Sequence, residues 1–139
     1  MRIEQEKVRA FMEKIGDATS NEPTLVPSQT AIRRFRLIHE ELVEYLTAAT
    51  GGDLVEVADA LGDVLYTVIG AGILHGIDLQ PIFDEVHRSN MTKEPVRDNP
   101  LKLCAKGPNF EKPRIAEVLL LQSTGLNREP EDNVVPFKR

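Results

Sequence analysis

One cysteine, no tryptophan and an aromatic content of 5% leave this 139-residue chain without several common devices of protein chemistry. The single thiol, Cys104, has no partner for an internal disulfide and no companion for a zinc cluster, which fits a reducing compartment and a packing role as a small buried hydrophobe. Lysine and arginine form no run or stripe and the net charge is −5, so neither a general nucleic-acid footprint nor attraction to an anionic membrane is expected. An anionic substrate would need a metal as intermediary. No basic-then-apolar leader opens the sequence, and the longest apolar stretch, Val64 to Leu74, is interrupted by Tyr66, Thr67 and two glycines. That stretch falls well short of the ~20 residues that cross a bilayer. The expectation is a cytoplasmic protein without a membrane partner. Hairpin signals, internal repeats and low-complexity tracts are also missing.

What is present is helical periodicity and 41% apolar residues, enough for one core. Val8, Phe11, Met12 and Ile15 recur at spacings of three and four, predicting a first helix over 2–15. A polar segment from Asp17 to Pro27 follows, and Ser28 is placed to cap a second helix that runs to about Thr50 and stops at Gly51-Gly52. Asp53 is the expected N-cap of a third helix ending at His75-Gly76, and Asp78 that of a fourth fading between Asn90 and Lys93. Beyond a proline- and charge-rich segment, 114–122 predicts one short helix. The fold class is all-α: a four-helix bundle over 1–122 with an antiparallel central pair, then a flexible tail over 123–139, its end from Asn127 mobile. Gly70, Gly72 and Gly76 predict a helix packed closely against the end of the third, with a second subunit as one source of it.

Two groups of acids interrupt the apolar pattern. Glu40, Glu41 and Glu44 cluster within one turn of the second helix, and Glu56, Asp59 and Asp63 fall at i, i+3 and i+7 on the third. Leu37, Val43, Leu46, Val55, Ala58, Leu61, Leu65 and Val68 surround them, which puts both groups at the edge of the expected core. Clustered carboxylates repel there unless a hard divalent cation, Mg2+ or Mn2+, shares their oxygens. A solvated acidic face is the blander alternative, but such a face lies opposite the apolar stripe rather than within it. Ion pairs with Arg33, Arg34 and Arg36 are a second alternative, and three arginines do not match six acids.

EELVE at 40–44, followed after eleven residues by EVAD at 56–59, resembles the paired EExxE and ExxD signature of the all-α MazG-like nucleoside triphosphate pyrophosphohydrolases. The gap is slightly below the usual range, which the tight Gly51-Gly52 turn accommodates. GIDLQPIFDEVHRSNMTK at 76–93 is similar to the stretch closing helix four in the phosphoribosyl-ATP pyrophosphohydrolase-like branch, and KGPNFEKPRIAEVL at 106–119 to that branch's tail.

The resemblance implies Mg2+, with Mn2+ as a substitute, held by Glu40, Glu41, Glu44, Glu56 and Asp59, and conversion of an NTP to NMP and pyrophosphate. Glu41 or Glu44 is the expected general base, because a cluster richer in carboxylates than a metal needs leaves one free to take a proton. Asp63, Asn90, Lys93 and Lys106 are the expected substrate contacts, with Asn109 a possible companion of Lys106. The role implied is control of the dNTP pool, and the base stays open among dUTP, dCTP and dGTP. A deoxynucleoside triphosphate is favoured over phosphoribosyl-ATP. A homodimer or a dimer-of-dimers tetramer is the expected assembly. The rivals are a non-catalytic helical scaffold and a di-iron carboxylate bundle. The latter wants two acid-x-x-His pairs, and the chain offers only Asp84-x-x-His87. His75 and His87 read as packing or helix-end residues.

Overall fold

A computed structural model of the chain describes residues 1–125. It is mostly helical, with α1 over Arg2–Lys14, α2 over Ser28–Gly51, α3 over Leu54–Leu74, α4 over Leu79–Asn90 and α5 over Ile115–Ser123. One feature departs from an all-helical reading. A two-stranded antiparallel ribbon pairs β1, Glu94–Pro95, with β2, Cys104–Ala105. Strands of two residues carry no alternation to read, and a proline argues against a strand in sequence. Residue 123, where the tail was expected to begin, is the last of α5. The mobility expected from Asn127 onward concerns residues outside those described.

Local chemistry explains the helix boundaries. Asp53 accepts hydrogen bonds from the Val55 and Glu56 amides at 3.0 and 3.2 Å, and Asp78 accepts from the Gln80 amide at 3.0 Å, so both expected caps form. Ser28 is a correction: Pro27 leads into α2, and Ser28 is its first helical residue, with no side-chain cap. The ring of Pro27 fixes an entry that needs no hydroxyl. Gly52 ends α2 in the left-handed conformation at φ 77°, and its amide bonds to the Ala48 carbonyl. This turn sends α3 back along α2.

The buried core is small. Val8 and Met12 of α1 meet Ile69, Ile73 and Leu74 of α3, with Val26 and Leu79 against their edge. Gly72 admits Leu79, whose Cδ1 lies 2.7 Å from where a Cβ would stand, and Gly70 admits the Arg34 guanidinium at 2.9 Å. The close neighbour these glycines predicted belongs to the same chain. The segment from Asp17 to Pro27 covers the end of α3, where the Ser20 hydroxyl and the Thr24 amide donate to the Leu74 and His75 carbonyls at 2.8 and 2.9 Å. His75 Nδ1 lies 2.8 Å from the Thr24 oxygen, a helix-end role. Arg33 and Arg34 both bind the Asp17 carboxylate, and Arg34 and Asp17 are each 11% exposed. Burial pushes the Asp17 carboxyl up, but the Ala18 amide and the two arginines outweigh it and hold the group below the ordinary range.

Helix α3 packs most extensively on α2 and then on α1, while α4 and α5 touch only slightly. A second correction concerns the surroundings of the acids. Val43, Leu46, Val55, Leu61 and Leu65 are 48 to 77% exposed, because the hairpin of α2 and α3 extends beyond the reach of the other helices. Helix α3, at 21 residues and a mean hydropathy of 1.6, is long and apolar enough by composition to cross a membrane, which its sequence run alone did not suggest. It packs on α1 and α2 and carries Glu56, Asp59 and Asp63, as a core helix with one acidic edge would.

Two stability outcomes follow from these contacts. Gly76 has φ 66°, and a Cβ there would stand 2.1 Å from the Glu22 carbonyl oxygen, so Gly76→Ala lowers unfolding free energy by at least about 2 kcal/mol in urea titration. Asp17→Asn leaves Arg34 largely buried beside a neutral group and costs roughly 2–4 kcal/mol. Because the folded carboxyl sits below its ordinary value of ~3.9, the difference persists at neutral pH and shrinks only as pH falls through the folded value.

Candidate active site

The turn at Gly52 brings the two acidic segments face to face. Glu40, Glu41 and Glu44 lie on α2 and Glu56, Asp59 and Asp63 on α3. Glu41 is half-buried; the other five are exposed. The Glu41 carboxyl is pushed above its ordinary value, first by burial and then by the negative charges of Asp63, Glu44, Glu40 and Asp59. Glu41 thus feels acids from both arms of the hairpin. Asp63, outside the short signature, is the strongest of these neighbours.

Beside Glu41, a cavity of about 260 Å3 is lined by Val43, Glu44, Thr47, Ala48, Glu56, Asp59 and Ala60. Its lining includes three carboxylates and no cationic side chain. Arg33 and Arg34, considered above as partners for the acids, are engaged with Asp17 instead. Among the described residues no three acids, histidines or cysteines are already gathered into a metal-holding group. The donor chemistry nevertheless fits a hard divalent cation: exposed carboxylate oxygens on facing helices, mutually repelling and without an internal counter-charge. A grip on such an ion requires those side chains to turn toward one another.

The other expected contacts lie at the end of α4 and beside the ribbon. Asn90 ends α4 and is exposed. Lys93 and Lys106, thirteen residues apart, line one cavity of about 330 Å3 with Lys102, Cys104 and Ala105. The structure therefore unites the two expected lysines and adds Lys102, which carried no signal in the sequence. Cys104 corrects an earlier expectation, being exposed on β2 rather than buried. The Lys106 ammonium stands 5.1 Å from the Phe110 ring, while Asn109 is exposed. The two cavities share no lining residue.

Sequence reasoning missed the clasp that holds the ribbon. Glu85, nearly buried, accepts two bonds from Arg88 at 2.9 and 2.8 Å and one from the Arg114 amide at 2.6 Å. Those donors, Arg88 foremost, hold its carboxyl down at about 2. Arg88 also binds Glu111, the Ser89 hydroxyl donates to the Glu111 carbonyl at 2.8 Å, and Thr92 accepts from the Glu111 amide at 2.9 Å. The Glu85–Arg88 pair is a local i,i+3 contact, but Glu111 and Arg114 join it from about twenty to thirty residues away, where no local pattern announces them.

The family profile described as phosphoribosyl-ATP pyrophosphohydrolase matches residues 8–90, more than half of the chain. The chain belongs to this family. The matched span contains both acidic helices and α4, and stops before the ribbon. An uncharacterised protein of Acanthamoeba polyphaga mimivirus is 45% identical over 51 residues, which are 37% of this chain and 20% of that relative. The chain thus spans about a fifth of the relative's length. Membership in the phosphoribosyl-ATP pyrophosphohydrolase family agrees with the MazG-like resemblance of the motifs.

Repulsion at Glu41 has a measurable sign. In EDTA at pH 7, Glu41→Gln raises stability by about 0.5–1 kcal/mol, since like-charge neighbours cost roughly 0.2–0.5 kcal/mol each. Because the folded carboxyl lies above its ordinary value, the wild-type penalty fades as pH falls through that raised value and is gone below about pH 4. Thermal melts at pH 7 and pH 3.5 read both halves.

Proposed function

We propose that the protein is a divalent-cation-dependent pyrophosphohydrolase that converts a deoxynucleoside triphosphate to its monophosphate and pyrophosphate. The observation carrying this reading is the convergence on Glu41 of acids from both arms of the hairpin, beside a cavity that has carboxylates and no cation. Family membership supplies the pyrophosphohydrolase class.

Glu40, Glu41, Glu44, Glu56 and Asp59 would hold Mg2+, or Mn2+ in its place. When bound, the cation supplies charge neutralisation for the phosphates and makes a nearby water more acidic. Glu41 or Glu44 takes the proton of the attacking water, and Glu41 suits the role because its neighbours favour the protonated form. The new bond forms from that water's oxygen to the α-phosphorus. The bond from the α-phosphorus to the bridging oxygen breaks, and the electron pair leaves with pyrophosphate. Asp63, next to Glu41, orients the water or meets the sugar. Asn90 orients the nucleotide, and Lys93 and Lys106 meet phosphate oxygens. Exposed apolar flanks on α2 and α3 support a homodimer, paired further into a tetramer, in which a bundle of four helices closes over these acids.

Pyrophosphate release from the eight common NTPs and dNTPs and from phosphoribosyl-ATP, with Mg2+, Mn2+ or EDTA, tests the assignment. Metal-dependent release from a subset is expected, with Glu56→Gln lowering kcat at least about a hundredfold. Turnover confined to phosphoribosyl-ATP moves the substrate out of the dNTP pool. Silence across the panel, in a metal-loaded folded protein, favours the scaffold.

A further inference from the structure

The segment Asp17–Pro27, the turn between α3 and α4, and α5 border a cavity that the proposed reaction does not use. It measures about 480 Å3 and is lined by Pro23, Thr24, Leu25, His75, Ile77 and Leu119. A space of this order buries a small ligand or a few side chains. Polar groups of Thr24 and His75 bond to one another at its edge. The Thr24 amide donates to the His75 carbonyl at 2.9 Å, His75 Nδ1 lies 2.8 Å from the Thr24 carbonyl oxygen, and the Thr24 hydroxyl donates to the Leu25 carbonyl at 3.3 Å. What the cavity offers an occupant is therefore mainly apolar surface.

The chain leaves α5 beside this cavity. Gln122 accepts from the Asp78 amide at 3.0 Å and donates to the Asp78 carbonyl at 2.9 Å, which fixes the end of α5 against the residue after Ile77. Gly125, at φ 71°, then turns the backbone in the left-handed conformation that ends helices. Residues 126–139 follow, outside those described, and include one apolar run, Val134-Val135-Pro136-Phe137. Leu119 stands six residues before Gly125, about 9 Å along a helix axis, whereas the nine residues from Gly125 to Val134 span up to about 30 Å. The run therefore reaches its own chain's cavity with slack. A tether this short keeps it at an effective concentration in the millimolar range, so even weak affinity fills the cavity most of the time. Charge agrees: Lys138 and Arg139 directly follow Phe137, and Glu22, exposed, precedes Pro23 at the cavity.

We propose that Val134–Phe137 docks in the cavity of its own chain, with the Phe137 ring between Leu25, Ile77 and Leu119. A proline disfavours the helical conformation in the residue before it, so a run of this kind lays its side chains along a groove rather than extending α5. Docking covers Leu25, otherwise 92% exposed, and holds in place an end whose sequence alone predicts mobility. No residue of the acidic hairpin takes part, so the docking stands or falls apart from the pyrophosphohydrolase activity.

The chain has no tryptophan, so Phe137→Trp in the whole protein supplies a single reporter. Acrylamide is expected to quench this indole at least about threefold less than in an isolated 126–139 peptide carrying the same substitution. Adding Leu25→Glu, at a position exposed enough to leave the fold intact, restores quenching to the peptide's level. An indole quenched as freely as the peptide's overturns the docking, and protection that survives Leu25→Glu places the run elsewhere and overturns it too.

Co-expression of the doubly substituted chain with wild type separates the chain's own cavity from that of a second copy. The indole is expected to stay quenched there, and protection regained puts the run on another copy and overturns docking within one chain. In the unsubstituted protein, nuclear Overhauser contacts from the Phe137 ring to the Ile77 and Leu119 methyl groups are expected. Their absence overturns the proposal without any change of side chain.

Discussion

Carboxylates that repel one another across a two-helix hairpin are the constraint around which this molecule is arranged. At Glu41, the charges of Asp63, Glu44, Glu40 and Asp59 all oppose ionisation. The pair is also fixed at its ends. At one end the Gly52 turn permits only a narrow return of the chain. At the other, α1 and the Asp17–Pro27 segment cover α3, while Asp17 grips Arg33 and Arg34 on α2. Those arginines are thereby withheld from the acids. The repulsion is left intact, and it is this unspent charge that makes the face receptive to a cation.

A small buried core beside two long apolar helices is the second consequence. The core of α1 and α3 has five buried apolar residues, while the sides of α2 and α3 near the acids remain exposed. Stability and completion of the site are therefore connected: whatever covers the apolar flanks also changes the dielectric around the carboxylates and strengthens their interactions. Apolar exposure and acidic charge occupy the same surface.

Features governed by neighbours in sequence were legible beforehand. Asp53, Asp78, Gly52 and Gly76 are boundary residues because of their own backbone or side-chain chemistry, and the structure uses each as expected. Ser28 shows the limit, since Pro27 sets the entry to α2 without a hydroxyl. The acids were visible from helical spacing, but their apolar flanks were expected under cover; periodicity reveals which side of a helix is apolar and not what lies over it. Cys104, the ribbon and Lys102 were misread or missed because two-residue strands leave no pattern. The Glu85–Arg88 pair is local, but its link to Glu111 stayed hidden because that contact spans more than twenty residues of chain.

The clasp on α4 has a consequence of its own for how this molecule can vary. Ser89 and Thr92 pin Glu111, so the segment between Thr92 and Glu111 is a closed loop whose two ends are fixed to one helical turn. Lengthening such a loop costs only about 0.6 kcal/mol for each doubling, and the helices do not register the change. The tip beyond the ribbon, from Val96 to Leu103, is thus a place where reach and charge toward a ligand can be altered at small thermodynamic expense while the acidic hairpin stays as it is. The acidic hairpin and the adaptable loop sit on separately anchored parts of the chain, so one can drift while the other is held.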